Sequence, residues 1–539
     1  MKNKFIIIMI FIIAFILRFW QLGVNPPSLD WDEASLGYNA YSILKTGRDE
    51  YGIFLPLSIR SFNDYKPPLY TYLSILPVKV FGLTEFSTRF ISALFGLLGV
   101  ILTYYLVKEI FKKMSAKYYL LVTFFLSLSP WHLQFSRVAF EANVALTLFI
   151  GGVLFFVKGL TKGIYLSLSL FLFGLSMYTY HSTRLVVPFL ILGAVIIFYK
   201  EMRQKKLWLI LSGILLSVII LPIILSFASS TSARFGSVTI LNPSERLGQS
   251  IKDIEADQDK KDFLGKLMHN RRLVFGREIL ADYLDHFNFD FLFLTGDFAA
   301  RHHAVGFGML YIWELPFILI GAYFLLNTLD KRKVLIVWWF LIAPLASALT
   351  KATPHAVRAL LYLPTYQIFT ALGVLSSIKL VRNKKTTKFG FSAVMVFAFG
   401  IFIINFYYYL HQYYIHTPIA HAQDWQYGYK EAVDTVSKIE DKYNKVIVTY
   451  KYDQPYIYFL FYQKIDPVWY QNQWTGLEIK RDERNFGKFE FRNIDWSNDV
   501  NIKNVLFVAT PYEIPEEVGG VVKQIYFPDG SIAFNIIER

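Results

Sequence analysis

Long apolar runs dominate this chain, far longer than the alternation of a strand or the stripe of a surface helix requires. A membrane-spanning helix needs roughly 17–25 mostly apolar residues. About eleven segments approach that length: 5–22, 89–107, 118–135, 142–157, 164–180, 185–199, 207–227, 307–328, 334–350, 359–378 and 389–410. The polar stretches between them alternate in character. One set is short and basic: Lys2 and Lys4; Lys108, Lys112, Lys113 and Lys117; Lys158 and Lys162; Lys200, Arg203, Lys205 and Lys206; Lys331, Arg332 and Lys333; Lys379, Arg382, Lys384, Lys385 and Lys388. About 20 cations there face about three acids, Glu109, Glu201 and Asp330, and such a bias marks cytoplasmic loops. The N-terminus is therefore expected in the cytoplasm and, with an odd number of spans, the C-terminus outside. The first apolar run follows two lysines, as a signal peptide would. It continues into Arg18-Phe19-Trp20 without a small-residue cleavage site, so it reads as a retained span.

Three larger segments fall on the outer side. In the loop 23–88, Leu36, Ala40, Ile43 and Leu44 share one face of a helix over Glu33 to Leu44, which suits an amphipathic helix at the interface. A second helix is expected after Pro67-Pro68, through Leu69, Leu73 and Leu76, because proline is favoured at helix starts. The segment 228–306 is polar at first and then helical over about 260–287. The segment 411–539 is expected to be a small extracytoplasmic domain. It holds an amphipathic helix over Lys430–Glu440 with Val433, Val436 and Ile439 inward, and buried strands at Val446–Tyr450 and Val505–Ala509. A hairpin of Val521–Phe527 with Ser531–Ile537 turns at Asp529-Gly530. Mixed strands and helices predict an α/β fold there. The division is thus a transmembrane domain over 1–410, with large outer loops 23–88 and 228–306, and an α/β domain over 411–539. No internal repeat is evident.

Composition agrees and excludes other classes. The 539 residues are 54% hydrophobic and only 18% charged, against about 25% charged in soluble domains, so a soluble enzyme and a disordered chain are both disfavoured. No cysteine is present, which removes disulfides, thiolate metal sites and cysteine nucleophiles. The formal net charge of +14 is accounted for by the cytoplasmic loops, so it is not a nucleic-acid footprint. Aromatic residues make up 18%, equally suited to stacking on sugars and to membrane interfaces.

Ionisable groups beside spans are expensive and mark function, and here they gather on the outer side. Asp30, Asp32 and Glu33 open the first loop directly after the first span. A partly desolvated carboxylate can serve as general base toward a hydroxyl. Helix capping is the alternative, since acids favour a helix N-terminus, and both roles can coexist. Pro130-Trp131-His132, Ser136-Arg137 and Phe140-Glu141 join the third and fourth spans. Arg137 and Glu141, four apart, can pair on one helix face. His181 and Arg184 lie in the outer turn Tyr178–Arg184, where they suit an anion such as phosphate or simply snorkel to the interface. Lys66, Arg301, His302, His303, Lys351, His355 and Arg358 are further outer cations. The adjacent pair His302-His303 lacks helical metal-ligand spacing, so no metal ligand is assigned.

Asp32-Glu33-Ala34 with Gly37-Tyr38-Asn39-Ala40, Thr46-Gly47-Arg48-Asp49-Glu50-Tyr51-Gly52, Leu55-Pro56-Leu57 and Lys66-Pro67-Pro68-Leu69-Tyr70 together resemble the first outer loop of membrane-embedded glycosyltransferases with the GT-C fold. The likeness is to the protein O-mannosyltransferase-like branch, which includes the lipid A aminoarabinose transferases. Ser129-Pro130-Trp131-His132, Ser136-Arg137, Glu141 and Tyr180-His181-Ser182-Thr183-Arg184 continue it. It covers the spans to about residue 410 and leaves 411–539 unmatched. The resemblance implies an inverting transferase that uses a polyprenyl-phosphate sugar. Asp32 matches the first acid of the family's Asp-Glu pair and becomes the candidate base, with Glu33 a supporting acid. Lys66 matches a first-loop lysine that contacts donor phosphate in some members. His132, Arg137, Glu141, His181, Arg184 and Arg358 enter as donor-phosphate or substrate-binding candidates on chemical grounds. No cofactor is required by this chemistry, although a divalent metal is not excluded.

The expected partners are a polyprenyl-phosphate sugar, an acceptor glycan, lipid or protein, and the bilayer, with no nucleic acid. The expected location is the plasma (inner) membrane, with multiple passes. Three other readings remain at this stage: transfer of a different lipid-linked group or a whole glycan, a polyprenyl-lipid transporter, and a non-catalytic scaffold. A transporter places its polar groups near the membrane midplane, often within repeats, whereas these lie at the outer ends of the spans.

Overall fold

The computed structural model describes residues 2–62, 64–226, 247–383, 388–473, 484–515 and 518–539. The polar opening of the second outer segment, 228–246, lies outside them. Each of the eleven apolar segments is helical at least in part. Among the described residues, five helices have the length and composition to cross a bilayer: Glu85–Ile110, Glu141–Gly159, Lys206–Leu225, Leu360–Arg382 and Ser392–Ala420. Shorter apolar helices include Ala116–Leu128, Ile164–Met177, His181–Ile197 and Glu314–Leu326. The expected span 118–135 is divided at Pro130, which lacks the N–H needed to continue a helix and instead begins the next one, Pro130–Arg137. Large apolar side chains stand exposed on the long helices, among them Ile210, Val396, Phe397 and Ile404. Such a surface needs lipid around it, and the protein is membrane-embedded.

The chain divides into two compact units. The first comprises Met1–Ile12, Leu98–His132 and Ala145–Asn405 and is helical. Its tightest crossing pairs Glu314–Leu326 with Thr365–Asn383. A Cβ on Gly321 would sit 1.9 Å from the Phe369 carbonyl oxygen, and one on Gly373 would sit 1.9 Å from that of Phe317. Without a hydrophobic drive between helices in lipid, such backbone approach through small residues is what associates them. Thr370 Oγ1 donates to Glu314 Oε2 across the same crossing at 3.0 Å, so the buried acid is hydrogen-bonded.

The second unit comprises Ile13–Leu97, Leu133–Val144 and Phe406–Arg539. Helix α1 spans Lys2–Phe19, α2 Trp31–Thr46, α3 Leu69–Phe81 and α4 Glu85–Ile110, and a short hairpin pairs β1 (Ile59–Ser61) with β2 (Asp64–Lys66). The C-terminal segment forms a five-stranded sheet, β3 Lys445–Val448, β4 Phe489–Phe491, β5 Val505–Ala509, β6 Val521–Tyr526 and β7 Ile532–Glu538, in the order β4-β3-β5-β7-β6. The first three strands are mutually parallel, and β7 returns antiparallel to both β5 and β6. Gly530, at φ +88°, makes the expected β6–β7 turn.

The sheet does not build its core alone. Tyr456 to Phe461, on the helix Pro455–Tyr462, pack in one cluster with Leu29, Ala34 and Tyr38 of the first loop. Tyr38 donates to the Ile465 carbonyl at 3.1 Å, and Gln471 Nε2 to the Asp49 carbonyl at 2.9 Å. This corrects the interfacial reading of α2. The helix is buried on nearly every side from Glu33 to Ala40, because the C-terminal segment covers the face expected to lie in water. Gly37 allows the approach: a Cβ there would meet the Phe461 ring at 2.6 Å.

Gly373→Leu is expected to destabilise the protein by about 2 kcal/mol or more, the cost of forcing bulk into a packed contact. Thermal unfolding in detergent should show the loss, whereas Gly400→Leu, at a position with nothing within 4 Å of a Cβ, should leave the transition in place.

Candidate functional site

Helix α2 starts with a complete capping box. Asp30 is the N-cap: its Oδ1 accepts the Glu33 N–H at 2.8 Å, and Glu33 Oε2 accepts the Asp30 N–H at 3.3 Å. Both orphan donors are satisfied reciprocally. Asp30 thus takes the capping role, and Asp32 is released from it.

Glu33 is completely buried, and its carboxylate is fully engaged. Arg89, on α4 and also completely buried, donates Nε to Oε1 at 2.9 Å and Nη2 to Oε2 at 2.8 Å. Oε1 also accepts the Ala139 N–H at 2.8 Å. The remaining guanidinium donors reach the carbonyls of Leu22, Pro26 and Ser28. One arginine therefore fixes the entire approach to α2. Sequence reading did not single out Arg89, although a lone arginine inside an apolar span is a signal of this kind.

Asp32 differs from Glu33 in exposure. Its side chain keeps 34% of its accessible surface, and its Oδ1 lies 2.5 Å from Lys66 Nζ. Lys66 comes from β2, and its own side chain is only 8% exposed. Burial by itself would lower the Lys66 ammonium, but Asp32 and Glu141 outweigh it and hold the group above the ordinary lysine value. Glu141, at the start of the helix Glu141–Gly159, is buried and contributes to this field. The second unit thereby brings Asp32, Glu33, Lys66 and Glu141 into one neighbourhood.

Arg137 belongs to the same unit but does not pair with Glu141 along a helix face, because the helix breaks between Arg137 and Glu141. Its Nε donates to the Tyr413 hydroxyl at 3.0 Å, Nη1 to the Leu17 carbonyl at 2.8 Å and Nη2 to the Asn25 carbonyl at 3.0 Å. Buried in this way, it clamps the end of the first helix. His132, His181, Arg184 and Arg358 belong to the other unit. His132 is fully buried. Arg184 donates Nε to the Met177 carbonyl at 3.0 Å, and Arg358 donates Nη1 to Thr350 Oγ1 at 2.8 Å and to the Lys351 carbonyl at 2.7 Å. His181 is the first residue of the helix His181–Ile197 and is half-buried.

A further acid of the second unit, Glu50, is buried away from this neighbourhood's carboxylates in sequence. Glu50 is fully buried, its N–H donating to Asn39 Oδ1 at 3.0 Å. Burial pushes its carboxyl up to about 7 despite the neighbouring Arg484 guanidinium. Arg484 itself is held by the Tyr456 hydroxyl and the Phe62 carbonyl.

Two outcomes follow from these buried groups. Arg89→Ala leaves Glu33 as an unpaired buried charge, which costs about 3–5 kcal/mol. Thermal unfolding should register that loss, with Arg89→Lys recovering only part because it lacks the planar fork. Folded Glu50 holds a proton that the unfolded chain releases near 4.5. The folded state therefore binds more protons between about 4.5 and about 7, and the Glu50 contribution to stability falls as pH rises through that window. Glu50→Gln should melt above wild type at alkaline pH and converge with it in acid, read from unfolding temperatures against pH.

Residues 65–225 match the family described as dolichyl-phosphate-mannose-protein mannosyltransferase. An uncharacterised protein from Aquifex aeolicus is 31% identical over 110 residues, which are 20% of this chain and 21% of that protein. The match thus spans about a fifth of the length of that curated relative. Among solved structures, ArnT from Cupriavidus metallidurans bound to undecaprenyl phosphate aligns with a TM-score of 0.58 at 11% identity, over 98% of this chain and 97% of that one. The archaeal oligosaccharyltransferase AglB from Archaeoglobus fulgidus aligns with a TM-score of 0.48 at 14% identity, over 84% of this chain and 63% of that one. The chain therefore has the GT-C fold that its first-loop motifs implied, shared along nearly its whole length with ArnT, and its residues 65–225 match the dolichyl-phosphate-mannose-protein mannosyltransferase family.

Proposed function

We propose that this protein is an inverting glycosyltransferase that moves a sugar from a polyprenyl-phosphate donor to an acceptor on the extracytoplasmic face of the membrane. One observation carries the assignment of roles. Of the clustered carboxylates Asp32, Glu33 and Glu141, Asp32 alone keeps substantial exposure while touching a buried ammonium, Lys66. The family match over 65–225 and the fold shared with a transferase solved with undecaprenyl phosphate support the donor class.

The chemistry follows from these groups. Asp32 takes the proton from an acceptor hydroxyl or amine. The freed lone pair attacks the anomeric carbon from the face opposite the phosphate, and the bond from that carbon to the phosphate oxygen breaks with its electrons on the oxygen. Configuration inverts, and polyprenyl phosphate departs as an anion. Lys66 answers the charge that develops on the leaving oxygen. As the donor phosphate draws Lys66 away, Asp32 loses its neutralising partner and becomes a better base. Glu33 is a positioning residue: locked by Arg89, it holds the helix start that carries Asp32. The scheme itself asks for no metal, because the leaving group is already a stable anion.

The bias of basic loops supports an orientation with the first loop and the C-terminal segment on the extracytoplasmic side. The acceptor is a glycan, lipid or protein hydroxyl or amine reaching that face.

Release of free polyprenyl phosphate from a synthetic polyprenyl-phosphate sugar, by purified protein with membrane-derived acceptors, tests this reading. Asp32→Asn should lower the rate by about 10²–10⁴-fold, the usual worth of a general base, a loss far larger than any fall in the folded fraction that unfolding measured in parallel would report. Lys66→Met should raise the KM for donor as well as slow the reaction. Equal release by wild type and Asp32→Asn would remove Asp32 from the mechanism.

A further inference from the structure

Outside the second unit, among the described residues, Asp297, His302 and His355 form a group of three metal-ligating side chains whose ligand atoms all lie within 4.8 Å of one another. They come from two separate outer segments of the first unit, and all three are buried or nearly so, at 5%, 6% and 9% exposure. Asp297 is the hub. Its Oδ2 accepts His302 Nδ1 at 2.6 Å and the Ala356 N–H at 2.8 Å, while Oδ1 accepts the Ala299 N–H at 3.0 Å. His355 Nδ1 lies 3.8 Å from the same Oδ2, too far for a hydrogen bond, and it is buried without a hydrogen-bond partner. The two imidazole rings face each other at 5.1 Å between centroids and 40° between planes.

A carboxylate that only needed hydrogen-bond donors would be satisfied by His302, Ala299 and Ala356. That arrangement leaves His355 without a purpose, since a buried imidazole nitrogen aimed at a carboxylate and bonded to nothing is costly. We propose that Asp297, His302 and His355 bind a divalent transition-metal cation, of which Zn2+ is the type. Two imidazole nitrogens and one carboxylate oxygen are the donor set such borderline cations prefer, with water completing a tetrahedron.

The two pairs that share Asp297 need only a small adjustment, and the ligand atoms already lie within 4.8 Å of one another. Ligands about 2.0–2.2 Å from zinc in a tetrahedron stand roughly 3.3 Å apart. The His302–Asp297 pair opens from 2.6 Å, and the His355–Asp297 pair closes from 3.8 Å. The His302 proton that now lies between the two atoms leaves when the metal enters. The bound ion would staple the segment around Asp297–His302 to the one around His355–Ala356, a role in shaping these loops that is independent of the transfer chemistry carried by the other unit's residues.

The test uses the full-length protein in detergent, stripped with a chelator. Co2+ serves as spectroscopic probe, and Zn2+ is titrated against a metal indicator. One equivalent should bind, with the intense d–d absorption of a four-coordinate site. Asp297→Asn and His355→Gln, each close in shape to the native side chain, should weaken binding at least about 10-fold. A wild-type measurement guards against variants that misfold: Zn2+ should raise the unfolding temperature, and chelator should reverse the rise. Failure of the wild type to bind one equivalent, or undiminished binding by both variants, would overturn the proposal and leave the cluster a hydrogen-bonded hub. Neither result touches the Asp32 assignment, which is read from donor turnover.

Discussion

The buried pair of Glu33 and Arg89 is the interaction on which the candidate site depends. Removing two charges from water is costly, and the cost is offset only when every donor and acceptor is used. Here that condition is met. The carboxylate accepts from the guanidinium twice and from two backbone N–H groups, and the guanidinium also reaches three backbone carbonyls. The carbonyls of 22, 26 and 28 are thereby tied to α4, and the start of α2 is fixed to the turn at Ala139. Asp32 is the residue immediately before Glu33, so the network fixes its backbone while its side chain meets Lys66.

That division of labour explains why two adjacent acids end in opposite states. A reactive carboxylate must reach an acceptor, so it needs exposure. The acid that positions it must not move, so it needs burial and saturation. Consecutive helical residues point about 100° apart, and the one-residue step from Asp32 to Glu33 turns one side chain toward Lys66 and the other into the protein. Arg137 repeats the same device at the end of the first helix, where its guanidinium gathers the carbonyls of Leu17 and Asn25 and the Tyr413 hydroxyl. The two arginines hold the chain where it leaves the apolar run, a place where backbone carbonyls would otherwise lack partners.

The C-terminal segment completes this unit. Its aromatic helix, Pro455–Tyr462, packs against α2 at Gly37, where Thr88 of α4 also approaches, and its sheet is built on the same cluster that holds Leu29 and Tyr38. A polar-looking loop helix with Ser35, Asn39 and Ser42 is buried because hydrogen bonds satisfy those groups inside, as with Ser35 on Ser61 and Ser42 on the Arg48 carbonyl.

The sequence by itself determined the apolar helices, the placement of α2 and α3, the Asp529-Gly530 hairpin, and the first-loop motifs with Asp32, Glu33 and Lys66. Each of these is local: a length of apolar chain, a cap, a turn residue, a short motif. Only the tertiary structure decided that Asp30 caps, that Glu33 is locked by an arginine 56 residues away, that Arg137 serves the backbone, and that α2 is enclosed. His302 was read against its neighbour His303, whereas its companions are Asp297 and the distant His355. The physical reason is common to all of them. A side chain's chemistry follows from its desolvation and its partners, and in a folded chain both are supplied by residues remote in sequence.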